Sequence, residues 1–416
     1  MCGRSLTLSA KPELTLPLYA LPGARRDAAD MTRKQSAYLD LLRVLAAFTV
    51  LLGHVALRRF SGDGYADFQS HAFASDAVAV FFVLSGFIMA YVTSERNRGA
   101  ADYAFSRASR IFSVAVPALL LTLVADSIGM VHATEFYAEH VGAAGGTPAE
   151  TALRALTFST HWWQSDMAPG SNSPWWSLSY EVSYYVLFGM FVFLRGWVRW
   201  VAIVAGLAVV GLNTLLLMPA FLMGVGLFKA VSRPDADTAA QKRSVVGAVV
   251  PVAVYAVLHM MNVPMLVNAV TAQTFEAGLG LKLGFSYNFV WALILGHLLC
   301  MHLRAMWSLL GSEGPTGRWA GWAKWLAGGS FSLYLVHFPV LHLLEATFPK
   351  IRPDLASYWL DDLATVAVTV AVCFAFAEVF ERPLPRFRRA LRRVGARSSI
   401  SAADNTKMPA KGAGIG

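Results

Sequence analysis

One apolar segment near the start of the chain carries the residues best suited to acid–base chemistry. Within residues 38–56, YLDLLRVLAAFTVLLGHVA, Arg43 and His54 are eleven positions apart. On an α-helix this spacing is about 16 Å, roughly half of a ~30 Å hydrocarbon core. With Arg43 near one face of a membrane, His54 is therefore expected near mid-depth. An ionisable group there is costly to keep, so we interpret His54 as functional; a histidine satisfied by a neighbouring helix is the alternative.

His54 has the chemistry of a general base. Imidazole titrates closer to neutrality than any other unperturbed side chain, and its neutral form can take a proton from an alcohol. Arg107 and Arg110 offer a different chemistry, because their i, i+3 spacing in SRASRI places both on one helical face. Two guanidinium groups so placed can clamp phosphates. The alternative for this pair is a positively charged anchor at the cytoplasmic membrane surface.

Glu181 lies about one turn inside the apolar segment of PWWSLSYEVSYY, next to Trp176 and other aromatic residues. A carboxylate in this setting needs a partner, and the aromatic side chains resemble surfaces on which sugar rings stack. Because the segment is expected to enter from the outer face, Glu181 is predicted to lie on the side of the membrane opposite the arginine pair.

Two further apolar segments contain polar candidates. Ser85 precedes Gly86 in FFVLSGF, where small residues let another helix backbone approach; Ser85 is also a candidate substrate contact. His337 lies near mid-depth in SFSLYLVHFPV, and Pro339 two residues later is expected to free a backbone carbonyl beside it. Together these positions predict a polar path through the membrane.

The composition predicts the elements that must hold these residues. The 416 residues are 56% hydrophobic and 15% charged, against roughly 25% charged in soluble domains, so we predict a polytopic, all-α membrane protein. The three cysteines have no metal-binding spacing, and neither a disulfide framework nor a metal site is expected. The ten predicted spans are approximately 38–58, 75–95, 109–128, 179–195, 197–213, 215–231, 245–262, 286–304, 327–346 and 360–380.

Basic residues predict the orientation. With the N-terminus inside, only six of the 35 Lys and Arg fall in outer segments: Arg58, Arg59, Arg154, Lys282, Lys350 and Arg352. This asymmetry places both termini in the cytoplasm. The seven arginines from Arg382 to Arg397 account for much of the net charge of +9 and favour anionic lipid head groups as partners, not nucleic acid. We predict disordered tails at 1–36 and 391–416 around a membrane domain at 37–390; the first thirty residues lack the apolar core of a signal peptide.

Five motifs in order give the chain a family resemblance. Arg43 and His54 form an Arg-x10-His pattern, followed by FFVLSGF, the spaced arginines, WSLSYE at 176–181 and SFSLYLVHFPV at 330–340. Over residues 37–390 the sequence resembles the membrane-bound acyltransferase 3 family, whose members acylate O-antigens, exopolysaccharides and macrolides. Before FFVLSGF the family often carries a Gly-Val pair, where this chain has Asp76–Ala79.

The resemblance implies an O-acyltransferase of the bacterial inner membrane. It would move an acyl group, expected to be acetyl, from cytoplasmic acyl-CoA to a hydroxyl of a cell-surface glycan or lipid-linked sugar, with no bound cofactor. Arg107 and Arg110 would hold the phosphates of CoA, and Arg43 would position the donor. His54 would be the general base or a transient acyl carrier, while Glu181 and Trp176 would orient the acceptor and His337 would add a polar contact.

Two readings from other classes compete with the enzyme. A transporter or flippase would also place histidines and a polar path at mid-membrane, but no repeated half is visible in the sequence. A structural or sensing protein would tolerate replacement of His54 by Gln. The acceptor, the acyl group and the oligomeric state are left open by the sequence.

Overall fold

Helices form wherever the sequence is apolar, since a backbone in lipid must satisfy its hydrogen bonds internally. The computed structural model describes residues 31–65, 68–69, 71–95, 99–141, 147–232, 240–311, 317–348 and 355–390, and no strand occurs among them. The predicted all-α class is therefore confirmed for this part of the chain. The predicted tails lie outside the described residues except for 31–36.

The helices named below are numbered in chain order. They are α1 Arg33–Val55, α2 Arg58–Ser61, α3 Phe73–Glu95, α4 Ala100–His132, α5 Thr134–His140, α6 Pro148–Leu156, α7 Trp175–Phe193, α8 Gly196–Val210, α9 Leu212–Val231, α10 Ala240–Met260, α11 Val263–Ala272, α12 Phe289–Leu309, α13 Arg318–Ala327, α14 Ser330–Thr347 and α15 Leu355–Phe380.

Every predicted apolar segment falls on one of these helices. Six helices in the described ranges are long and apolar enough to cross a membrane, and eight crossings result if two bent pairs each count as one. The bends are 68° between α10 and α11 and 50° between α13 and α14. The chain is thus a multi-pass helical protein, while ten crossings and cytoplasmic termini stay predictions.

A capping box sets the start of α1 and changes where its polar residues lie. The Thr32 hydroxyl accepts from the backbone N–H of Gln35 at 3.2 Å, and the Gln35 side chain accepts from the Thr32 N–H at 2.9 Å. The helix consequently begins at Arg33, before the predicted boundary at residue 37. Arg43 therefore lies near the middle of α1 and His54 in its last turn, while the position of His54 near mid-depth of a membrane stays a prediction.

Helices α3 and α9 touch backbone to backbone. A Cβ added to Gly86 would lie 1.9 Å from the carbonyl oxygen of Phe221, and one added to Gly224 would lie 1.9 Å from that of Val83. Only glycine permits this reciprocal contact, which confirms the close approach predicted at Gly86. Helix α3 also packs against α1, so the pair forms a wall beside the polar residues of α1.

Helix α14 is held at the proline and at its start. Pro339 has no N–H to give to the Leu335 carbonyl, and the Asn172 side chain donates to that oxygen instead, at 2.9 Å. At the first turn, the Glu381 carboxylate accepts from the backbone and the hydroxyl of Ser332, at 2.8 and 2.7 Å. These three hydrogen bonds fix the part of α14 that carries His337.

The segment between α6 and α7 is folded into the bundle. The Asp126 carboxylate of α4 accepts from the backbone N–H and hydroxyl of Ser171, at 2.8 and 2.6 Å. The side-chain amide of the next residue, Asn172, donates to the Thr122 hydroxyl of α4 at 3.2 Å and to the Leu335 carbonyl of α14 at 2.9 Å. Helix α7 therefore starts deep between α4 and α14, which has a direct consequence for Glu181.

Candidate active site

Five helices enclose a cavity of about 270 Å³ that holds most of the predicted site residues. Its volume is close to the lower end of the ~300–1,000 Å³ usual for small-molecule sites. The predicted residues in its wall are Arg43, Ser85, Arg107, Arg110 and Glu181. We call it the arginine cavity, because three guanidinium groups and one carboxylate make its wall positive and suited to an anionic ligand.

Glu181 belongs to the arginine cavity. Its Oε1 accepts a hydrogen bond of 2.5 Å from the Ser85 hydroxyl and another from the Tyr185 hydroxyl, and Arg107 is within electrostatic range. The prediction that Glu181 lies on the side opposite the arginines is wrong. The reason is the inserted segment before α7, which starts this helix deep in the bundle and brings its second turn level with Arg107.

His54 and His337 form a hydrogen-bonded pair. His54 Nδ1 lies 2.7 Å from His337 Nε2, and the rings stack with centroids 5.0 Å apart and an interplanar angle of 16°. His337 Nδ1 donates to the Leu333 carbonyl at 2.9 Å, so in the neutral ring Nε2 is the acceptor. His54 Nδ1 is then the donor, and the lone pair of His54 is on Nε2, as a general base requires.

The histidine pair lies between two cavities. On one side the Tyr334 ring, 6.2 Å from that of His337, forms part of the wall of the arginine cavity and bonds through its hydroxyl to Ser177. On the other side, the partly exposed His54 lines a second, more open cavity of about 500 Å³. We call this the His54 cavity. A base at this position can act on two ligands, one bound in the arginine cavity and the other in the His54 cavity.

Trp176 is placed differently from the other predicted residues. Its ring stacks on Phe285 at 4.8 Å with an interplanar angle of 3°, it is 8% exposed, and neither cavity has it in its described wall. The same Phe285 ring contacts His161 of the segment before α7, with centroids 5.5 Å apart, and His161 hydrogen-bonds to Asp166 at 3.1 Å. That bond holds the pKa of the Asp166 carboxyl below its ordinary value.

Several site residues were missed by sequence reasoning. They are Tyr185, Ser177 and Tyr334, which look like ordinary polar positions in apolar helices. The available signal was that Ser177 and Tyr334 lie inside the WSLSYE and SFSLYLVHFPV motifs. Pro339 predicts that a nearby carbonyl needs a donor from elsewhere. The sequence does not indicate that Asn172, 163 positions before Leu335, is that donor. Among the described residues, no group of three His, Cys, Asp or Glu is placed to hold a metal ion.

Fold and site together define a multi-pass helical membrane protein with a buried histidine pair beside a positively charged cavity. The family model described as "Acyltransferase domain" matches residues 36–378. The chain belongs to this family of acyltransferases, as the motif resemblance predicted.

A curated relative agrees with the family. The chain is similar to the acyltransferase MdmB of Streptomyces mycarofaciens, with 29% identity over 151 residues. The match covers 35% of this chain and 36% of that protein, so the chain matches about a third of its relative's length. No solved structure matches the chain.

Proposed function

We propose that the protein is an O-acyltransferase of the bacterial inner membrane that transfers an acyl group, expected to be acetyl, from acyl-CoA to a hydroxyl of a cell-surface glycan or lipid-linked sugar. The observation that carries this proposal is the histidine pair, whose hydrogen bonds leave the lone pair on Nε2 of His54. Membership of the acyltransferase family supports the reaction class.

The arginine cavity is the proposed donor site. Its three arginines suit the phosphates of CoA, and the thioester end would extend along Tyr334 towards the histidine pair. Glu181, fixed by Ser85 and Tyr185, acts electrostatically on Arg107 and would offset part of the positive charge of the cavity while the donor is absent. This role replaces the acceptor contact that the sequence suggested for Glu181.

The proposed reaction is a direct transfer. His54 Nε2 takes the proton from the acceptor hydroxyl while the oxygen attacks the thioester carbonyl carbon. The carbon–sulfur bond breaks, the CoA thiolate leaves, and the proton on His54 returns to that sulfur. His337 accepts from His54 Nδ1 throughout and so stabilises the imidazolium that forms between the two proton transfers.

The test is acylation by the purified full-length protein. With labelled acetyl-CoA and a glycan acceptor, we expect label in the glycan, and His54→Ala should reduce the rate about 10²–10⁴-fold, the usual contribution of a general base. His297→Ala is the matched control, because His297 is exposed on α12 and should leave the rate unchanged. Wild-type rates from His54→Ala would exclude the mechanism, and movement of unmodified glycan across vesicles without acylation would favour the transporter.

A further inference from the structure

The chain beyond α15 turns back towards the arginine cavity. After α15 ends at Phe380, residues 381–388, ERPLPRFR, contact helices on two sides of that cavity, and we call these residues the strap. The family model ends at residue 378, so the strap lies just beyond the matched region.

The first residue of the strap holds α14. The Glu381 carboxylate accepts from the backbone N–H and the hydroxyl of Ser332, at 2.8 and 2.7 Å. Ser332 is in the first turn of α14, next to Ser330 and Phe331, which line the arginine cavity. The N–H groups of a first turn have no partner within the helix, and the helix dipole favours a negative charge beside them. Glu381 thus fixes the α14 side of the cavity.

The last residue of the strap holds α4. Arg388 Nε donates to the Ser109 hydroxyl at 2.7 Å, and its Nη2 donates to the Ser106 carbonyl at 2.5 Å. Each serine directly precedes one of the cavity arginines, Arg107 or Arg110. The Ser106 hydroxyl also accepts from Arg107 Nε at 3.2 Å, so Arg388 and Arg107 bond to the same residue. Arg388 thus fixes the turn of α4 that carries both cavity arginines.

The charges of the arginine cavity explain why such support is needed. Arg110 acts electrostatically on both Arg43 and Arg107, and like charges repel each other while no anionic ligand is bound. Pro383 and Pro385 restrict the backbone of the strap, which helps its two ends to keep their spacing. A stiff connection between α14 and α4 holds the repelling groups in place, so that less ordering is required when a ligand binds.

We propose that the strap sets the affinity of the donor site, with Glu381 and Arg388 as positioning residues that hold the empty arginine cavity in its binding geometry. This rests on the proposed function, in which the cavity binds the phosphates of acyl-CoA. Neither residue belongs to the described wall of the cavity. Loss of either side chain therefore weakens donor binding and leaves the chemical step unchanged.

Binding of CoA to the purified full-length protein tests the strap without turnover. By titration calorimetry, Arg388→Ala should raise the Kd for CoA about tenfold or more, the effect of losing hydrogen bonds from a charged group. Arg389→Ala is the matched control, because it removes the same charge from the same short helix at 384–390, where Arg389 is exposed and donates to the Pro385 carbonyl. Its Kd should stay within about twofold of wild type. An unchanged Kd for Arg388→Ala, or equal losses in both variants, would overturn the proposal.

The other end of the strap gives an independent test, which also applies if Arg388→Ala does not fold. Glu381→Ala should weaken CoA binding, whereas Glu381→Gln keeps an acceptor oxygen for Ser332 and should restore most of the lost affinity. Equal Kd values for wild type, Glu381→Ala and Glu381→Gln would show that the strap does not set donor affinity.

Kinetics separate this proposal from the proposed function. With labelled acetyl-CoA and the glycan acceptor, Arg388→Ala should raise KM for acetyl-CoA by the same factor as the Kd and leave kcat within about twofold. If the strap variants weaken CoA binding as expected but the wild type transfers no acetyl group, the proposed function fails and the strap stands. If transfer occurs and Arg388→Ala lowers kcat with CoA affinity unchanged, the strap proposal is wrong.

Discussion

At the scale of single residues, the histidine pair assigns different tasks to two similar side chains. His337 is fully buried and bonded on both nitrogens, to Leu333 and to His54. His54 is partly exposed and keeps Nε2 available. Of the two, only His54 can meet an acceptor directly, while His337 sets its tautomer and orientation. His337 is thus a positioning residue for the proposed base.

Because the two histidines act as one unit, their substitutions should not be additive. His337→Gln should lower kcat about 10–10³-fold with little change in KM for acetyl-CoA, since it removes the tautomer control and not the donor site. The double variant with His54→Ala should be no slower than His54→Ala alone. Rate measurements on the three variants check this, and additive losses would show that His337 acts independently of His54.

At the scale of helices, the contact between α3 and α9 fixes the wall beside the site. Gly224→Ala places a Cβ 1.9 Å from the Val83 carbonyl oxygen, and the required backbone shift should cost about 1–3 kcal/mol. Gly226 is on the same helix with nothing within 4 Å of an added Cβ, so Gly226→Ala should be neutral or slightly stabilising. Thermal unfolding in detergent compares the pair, and equal melting temperatures would contradict the close packing.

At the scale of the whole molecule, the distribution of basic residues predicts the orientation. Both termini should face the cytoplasm, because 28 of the 35 Lys and Arg then lie inside and only six outside. Alkaline phosphatase fused after residue 390 should be inactive and green fluorescent protein at the same position should fluoresce. An active phosphatase fusion would reverse the orientation and, with it, the side from which each cavity is reached.

The sequence was informative about the helices and about which residues matter, and less so about where they meet. Apolar length predicts each helix because lipid imposes intrahelical hydrogen bonding, and the resemblance in motifs predicted the family. The position of Glu181 depends on a segment inserted between helices, where the Asn172 side chain bonds to Thr122 of α4 and to Leu335 of α14. Such contacts join residues far apart in the chain, so no local pattern records them. The pairing of His54 with His337, 283 positions away, is of the same kind.

The buried layer between the two cavities also has an electrical consequence. A protein open to substrates from both sides of a membrane must not conduct protons, because a potential of 100 mV supplies about 2.3 kcal/mol per charge moved. Tyr334, at 8% exposure, lines the arginine cavity and lies next to His337, which is 0% exposed and bonded to His54. This layer would insulate the membrane while an acyl group passes. Tyr334→Ala should therefore make proteoliposomes lose a pH gradient faster than wild type, as a pH-sensitive dye would report; an unchanged rate would show that the insulation lies elsewhere.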